Sequence, residues 1–298
     1  MAHTPKAFAA TCALTVSLAL TPVLATPVAE AAPARSDASS QTSTETSADA
    51  TTAAPTAPEM PTKPRNGYGL RLTTFNILSS SIARGGIDRA TRAARWVQDQ
   101  GADAAAFQEV AKDQLRQIQT VMPKYNFFPR RGLGTRGSAI QIAWNSKTVK
   151  QMETGFIMRP FLGWARPIPY VRLRDRETGR GFWVVAIHNA PGGQEHERDV
   201  STASEIKLIK KLQAGRDRPV FVIGDVNERA EFCQKVAAAT PLVSMNGGSE
   251  KNPCPVPRFG GPDWMLGSGA EFSGFEKVYN GISDHPALTA KAWIPSKN

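Results

Sequence analysis

The chain has 298 residues, with 36 Lys or Arg against 26 Asp or Glu, a formal net charge of +10 and only three cysteines. That length supports one domain with a two-layer core, and no segment after the N-terminal leader is apolar enough to cross a bilayer. Cys233 and Cys254, the cysteines outside the leader, have no second Cys or His at ligand spacing, which excludes a cysteine-based metal site.

Residues 1–31 carry one Lys near the start (Lys6), an uncharged run from Ala7 to Ala29, and small residues suited to cleavage at Ala29-Glu30-Ala31. This is the layout of a secretory signal peptide; Pro22, Pro27 and the missing basic flank speak against a permanent span. Residues 32–66 are Ala, Ser, Thr and Pro with scattered acids. Such a stretch has almost nothing to bury, so a disordered spacer is expected. The protein is then exported, either free or held at the envelope, with residues 67–298 as its folded domain. That domain has 32 basic and 21 acidic residues, a net +11. In an exported protein Cys233 and Cys254 most often pair, and closing their loop would stabilise the fold by roughly 3 kcal/mol.

Within the domain, Leu70–Leu78 and Ala104–Phe107 have strand character. Between them Asp88–Gln100 repeats Ala90, Ala93, Ala94 and Val97 at helical spacing. Lys112–Val121 follows as a helix, Ser138–Trp144 as an alternating strand and Gly181–His188 as another. Glu195–Leu212 is a long amphipathic helix with Ile206, Leu208, Ile209 and Leu212 on its apolar side. Pro219–Gly224, Trp264–Leu266 and Pro286–Trp293 complete the strands. Strands outnumber helices and helices fall between them, which predicts an α/β fold of two sheets with outer helices rather than a small all-β barrel. No internal repeat is present.

Residues 130–180 concentrate charge: eleven Lys or Arg against three acids, interleaved with Trp144, Phe156, Phe161, Trp164 and Tyr170. Cations pair with phosphates and rings stack on bases, so the stretch suits a polyanion better than a plain solvated surface. Gly132–Gly137 matches the dinucleotide fingerprint GxGxxG, but that motif must follow a strand and open a helix. Here it opens the strand SAIQIAW, and a flexible basic loop is expected instead.

Five polar motifs end apolar runs in order: TTFNIL (Asn76), AFQEV (Glu109), VVAIHN (His188, Asn189), VFVIGDVN (Asp225, Asn227) and ISDHPA (Asp284, His285). A strand that ends in a carboxylate, amide or imidazole delivers that group to the rim of a sheet. Several converging would gather like charges around one point, where a divalent cation relieves the repulsion. Asp225 can hold a water or metal, and Asn227 can orient it without adding charge. His285 can exchange a proton near neutral pH, and Asp263, just upstream in PDWML, offers a carboxylate to set its tautomer. The constellation implies metal-dependent phosphoester hydrolysis.

These motifs, in this order from about Leu70 to Trp293, resemble the endonuclease/exonuclease/phosphatase superfamily, the fold of deoxyribonuclease I. The resemblance implies a four-layered α/β sandwich, two mixed β-sheets face to face with helices outside. It implies Glu109 as main ligand of a catalytic Mg²⁺ (Mn²⁺ or Ca²⁺ as substitutes), Asp284 as a further ligand, and Asn76 assisting the metal or a phosphate oxygen. Asp225 and Asn227 would position water and phosphate. His285, oriented by Asp263, would be the proton-transfer partner, and His188 would steady charge on phosphorus or the leaving oxygen. Asn189 departs from the family, where many members have an apolar residue. Asn189, Arg136, Arg166, Tyr170 and Arg172 are candidates for gripping substrate.

A monomeric secreted nuclease acting on DNA is the leading expectation. A sphingomyelinase-type phospholipase C, or another phosphatase of the superfamily, shares the same catalytic residues. Its membrane-facing aromatic hairpin has one short candidate here, Phe161-Leu162-Gly163-Trp164. A silent polyanion-binding module needs no such set of histidines, acids and amides.

Overall fold

The computed structural model describes residues 67–215, 219–255 and 261–296. The leader and the spacer expected over residues 1–66 lie outside the described residues.

The first sheet is ordered β11-β12-β1-β2-β4-β3 and the second β5-β6-β7-β8-β10-β9. In the first, β1 (Gly67–Asn76) runs parallel to β2 (Ala104–Gln108) and antiparallel to β12 (Ala287–Pro295), while β4 (Ile140–Asn145) pairs with β2 and with β3 (Tyr125–Phe128). β11 (Glu271–Val278) closes one edge. In the second sheet, β7 (Gly181–His188) runs parallel to β8 (Val220–Asp225), and β10 (Asp263–Gly267) is antiparallel to β8 and to the short β9 (Val243–Ser244). The hairpin of β5 (Val149–Phe161) and β6 (Trp164–Asp175) forms the other side of that sheet. Both sheets are mixed.

Alternation decides which residues meet. Leu70 and Leu72 of β1, Ala104 and Ala106 of β2, and Ile140, Ile142 and Trp144 of β4 face the second sheet in one apolar core. Their neighbours Phe75, Ala105, Phe107 and Ala143 face outward, where α1 (Gly86–Asp99) and α2 (Lys112–Val121) bury Ala90, Ala93, Ala94, Val97, Leu115 and Ile118. On the second sheet lie α4 (Glu195–Ala214) and α5 (Ala230–Ala239). Helices outside two facing sheets give the expected four layers. The expected disulfide is formed: Cys233 on α5 joins Cys254, with Cα atoms 6.1 Å apart.

Three differences from the sequence reading have local causes. The β5–β6 hairpin has no strand signature in the sequence because charges and prolines break its alternation. Pro167 and Pro169 fall outside the Tyr170–Arg174 segment that pairs with β7, so no ladder on that side needs their missing N–H. β11 is broken by a register shift between Ser273 and Glu276 around Gly274, at φ +56°. The GxGxxG segment opens β4 as expected, but Gly134–Gly137 forms one helical turn, α3, rather than an irregular loop. A Cβ on Gly137 would sit 2.4 Å from Leu133 Cβ, so close packing explains that glycine.

Candidate active site

The C-terminal ends of parallel strands and the starts of their antiparallel neighbours share one rim. Asn76 ends β1, Asp225 ends β8, His188 ends β7 directly opposite Asp225, and Asp263 opens β10 in register with Asp225. His285 stands just before β12. Asn76 shares the inner face of β1 with Leu70 and Leu72, which is why it reaches the opposite sheet. Two residues leave their strands with positive φ: Glu109 at +58° and Asn227 at +52°. A left-handed Glu costs roughly 1–3 kcal/mol, a strain that concentrates at functional sites. Gly224 is required because a Cβ there would lie 2.1 Å from the Ile187 carbonyl oxygen. The glycine of GDVN thus lets β8 approach β7 closely enough to pair Asp225 with His188.

Asn76 Nδ2 donates to Glu109 Oε1 at 2.9 Å and to Asp225 Oδ2 at 3.0 Å. Its Oδ1 accepts from the Leu78 amide, which can only donate, so the orientation is set. Asn76 therefore aligns the two carboxylates through its nitrogen, while its oxygen holds the Leu78 amide. The Ser79 amide donates to Glu109 Oε2 at 3.3 Å. The Asn227 amide donates to Asp225 Oδ1 at 2.9 Å. Asp225 is 1% exposed, and burial, followed by the Asp263 charge, lifts its carboxyl to about 7.

The two histidines sit in opposite surroundings. Arg166 Nη1 lies 3.0 Å from His188 Nδ1, and because guanidinium only donates, that nitrogen accepts. The ring proton is then on Nε2, 3.6 Å from Asp225 Oδ2 and 3.9 Å from Glu109 Oε1. Burial, then the Arg166 charge, holds His188 well below its usual range, so it is a neutral donor. His285 Nδ1 lies 3.0 and 3.2 Å from the Asp263 carboxylate, and its Nε2 is 3.7 Å from Asp225 Oδ2. Burial alone would lower it; the Asp263 hydrogen bond and the Asp263, Asp225 and Asp284 charges outweigh that and raise it to about 9. At neutral pH His285 is an imidazolium.

Glu109 and His188 of the rim line a cleft of about 390 Å³ whose other walls include Ser79, Ile82, Lys112, Phe161 and Arg166. Phe161 packs edge-on against His188, with centroids 5.4 Å apart, and under the Arg166 guanidinium at 3.3 Å. Arg136 stacks on Trp164 at 3.8 Å. The structure thus brings Glu109, Asn76, Asp225, Asn227, Asp263, His188, His285 and Arg166 together, with Arg136 beside them. The side chains of the remaining candidates make no hydrogen bond to this set, although the Asp284 charge acts on His285 and the Asn189 main chain is bonded to Asp225 and Asn227. Asp284 is exposed and accepts from Ser283 Oγ. Tyr170 packs on Trp183, and Arg172 lies 3.9 Å from Glu153 farther along β6. Asn189 is buried and turned to Glu205, away from the cleft. Sequence reasoning missed Phe161 as a wall against His188, and the buried Arg198 and Glu205 of α4. The available signal was that the apolar stripe of α4 stops at Ile206.

Two groups of ligand-type side chains converge at the rim: Glu109, His188 and Asp225, and Asp225, Asp263 and His285. The buried carboxylates present hard oxygen donors to one point, which fits Mg²⁺ or Mn²⁺ better than a thiophilic ion. Glu109, at the cleft wall, is the residue that would hold such an ion. When bound it would polarise a phosphoryl oxygen and offset the carboxylate charge. A third group, Glu195, Asp199 and Glu228, is already paired with Lys235, at 2.7 Å from Asp199 and 3.4 Å from Glu228, and with Arg198, at 2.7 Å from Glu195.

Two carboxylates, an Asp–His pair and a neutral histidine at the rim of facing mixed sheets define a phosphoester hydrolase. The family model "Endonuclease/Exonuclease/phosphatase family" matches residues 73–285, and the chain belongs to that family. We found no match by sequence among curated proteins. Among solved structures the chain is similar to the human Nocturnin catalytic domain with bound sulfate (14% identity, TM-score 0.62, covering 79% of this chain and 97% of that one). It is also similar to D. rerio TDP2 complexed with single strand DNA product (18%, 0.61, 76% and 98%). A third is a Bacteroides thetaiotaomicron mannosyl-6-phosphatase (19%, 0.59, 75% and 99%). At these identities the likeness is one of fold.

Proposed function

We propose that the protein is an exported, divalent-metal-dependent nuclease that hydrolyses DNA phosphodiester bonds. One observation carries the reading: Glu109 and His188 of the rim line a cleft walled also by Lys112 and Arg166, and Arg136 stacks on Trp164 next to Arg166. Cations there suit a substrate with phosphates on either side of the scissile one. The Cys233–Cys254 disulfide is consistent with an oxidising compartment. TDP2, a protein of the same fold, has been crystallised with a single strand DNA product.

In this reading, water held by Asp225 and Asn227 attacks phosphorus in line, and the bond to the leaving oxygen breaks without a covalent enzyme intermediate. Asp225, with its raised proton affinity, is suited to take the water's proton. His285, protonated and fixed by Asp263, returns a proton to the leaving oxygen. His188 donates from Nε2 to a phosphoryl oxygen, its orientation held by Arg166.

The test is nicking of supercoiled plasmid by the purified protein with Mg²⁺, beside an EDTA control and His285→Ala. Metal-dependent nicking lost in the variant is the expected result. A second reading draws on Phe156, Met158 and Leu162, exposed on the β5–β6 hairpin, as a membrane-facing surface. Phosphocholine release from sphingomyelin liposomes without plasmid nicking would move the assignment to that substrate.

A further inference from the structure

The inner face of α4 carries polar contacts that the chemistry above does not use. Arg198, Ser201, Thr202 and Glu205 follow one another at helical spacing and are all buried. Arg198 Nη1 donates to the carbonyls of Ala190 at 3.0 Å and Gly192 at 2.7 Å. Glu205, 1% exposed, accepts from Asn189 Nδ2 at 3.4 Å through Oε2. Helix α4 thus grips the segment that follows His188.

That segment joins the two catalytic strand ends. The Asn189 amide donates to the Asp225 carbonyl at 3.0 Å, and its own carbonyl accepts from Asn227 Nδ2 at 2.9 Å. Asn227 in turn donates its amide to the Asp225 carboxylate. A continuous line therefore runs from Glu205 through Asn189 and Asn227 to Asp225. An apolar side chain at position 205 would avoid the cost of burying a carboxylate, as the apolar faces of α1 and α2 do. Burial pushes the Glu205 carboxyl up to about 7, a cost that packing alone does not require.

We propose that Glu205 is a positioning residue: by holding Asn189 it fixes, through that residue's main chain, the Asn227 amide and the Asp225 carboxylate that act on the phosphoester. This rests on the hydrolase reading of the site but not on DNA as substrate. Partners of this kind, one step removed from the reacting groups, are commonly worth about 10-fold or more in activity.

Glu205→Met removes the acceptor at similar volume, whereas Glu205→Gln keeps an acceptor oxygen. In the full chain without metal, amide hydrogen exchange at Asn189 and Asn227 should quicken by about ten-fold in Glu205→Met, with Val185 in β7 unchanged. With Mg²⁺ and bis(p-nitrophenyl) phosphate, kcat should fall by about ten-fold while KM stays within about two-fold. Glu205→Gln should restore both readouts, and Glu205→Met should add less than about two-fold in an Asn227→Ala background. Native protection and full kcat in folded Glu205→Met would overturn the proposal, as would equal loss of protection at Val185. Should Glu205→Met fail to fold, Asn189→Ala read at the Asn227 amide decides in its place. A wild-type protein inert toward every phosphodiester would sink the hydrolase reading, and the exchange measurement would still judge Glu205.

Discussion

The two outer layers of this sandwich are built from opposite materials. Helices α1 and α2 cover the first sheet mainly with alanine, valine, leucine and isoleucine, with Gln114 the buried polar exception, whereas the first half of α4 covers the second with Arg198, Ser201, Thr202 and Glu205. The helices on the first sheet contribute chiefly burial, at about 25 cal/mol per Å² of apolar surface. Helix α4 places hydrogen-bonding groups, at a cost in desolvation, behind the strands that end in His188 and Asp225. One layer supplies stability; the other supplies geometry.

The comparison can be broken at several points. Asp225→Asn should lower kcat by about 10³-fold with a near-normal thermal midpoint, since it removes a proton acceptor and leaves the apolar core intact. An active variant would take the rim out of the chemistry altogether. Leu115→Ala in α2 should do the reverse, costing about 2–5 kcal/mol in a denaturant titration while kcat per folded molecule holds. Loss of activity without loss of stability there would erase the distinction between the layers. Removing the Cys233–Cys254 bridge by double substitution to Ser should cost about 3 kcal/mol by the same titration, again without a change in kcat.

The smaller tests sharpen the contrast. Glu205 has a folded carboxyl value of about 7 against 4.5 in the open chain, so the folded state binds the extra proton between those values. The Glu205 contribution to stability is therefore full below pH 4.5 and is lost as pH rises through 7. The thermal midpoint of Glu205→Gln, compared with wild type, should gain as pH rises from 4.5 to 7. A gap that does not vary with pH would mean the carboxyl is not held in that environment. Arg136→Ala should leave chemistry intact and reduce the slope of log activity on DNA against log salt by about one.

Much of the fold could be read from the chain. Periodicity located α1, α2, α4 and most strands to within a few residues because α1, α2 and the second half of α4 repeat apolar residues at helical spacing and the strands are apolar runs. It failed at β5 and β6, where Pro160, Pro167 and Pro169 and a run of cations hide thirteen and twelve residues of strand. The motifs at strand ends and starts marked Glu109, His188, Asp225, Asp263 and His285, since a polar group bounding an apolar run has few other reasons to be there. Arg166 was one of several arginines in a basic stretch, and only the turn of the hairpin brings it onto His188.

What the sequence determined by itself is the order of the strands, the chemical types at their ends and the family they belong to, because all three are local patterns along one chain. What the tertiary structure decided is which of those groups share a proton, which way Asn76 and Asn189 turn, and which cations reach the cleft. Those outcomes depend on distances between β1, β8 and α4, elements separated by more than a hundred residues between the first and the others. Electrostatic and hydrogen-bond energies fall off over a few ångströms, so only the folded packing can set them.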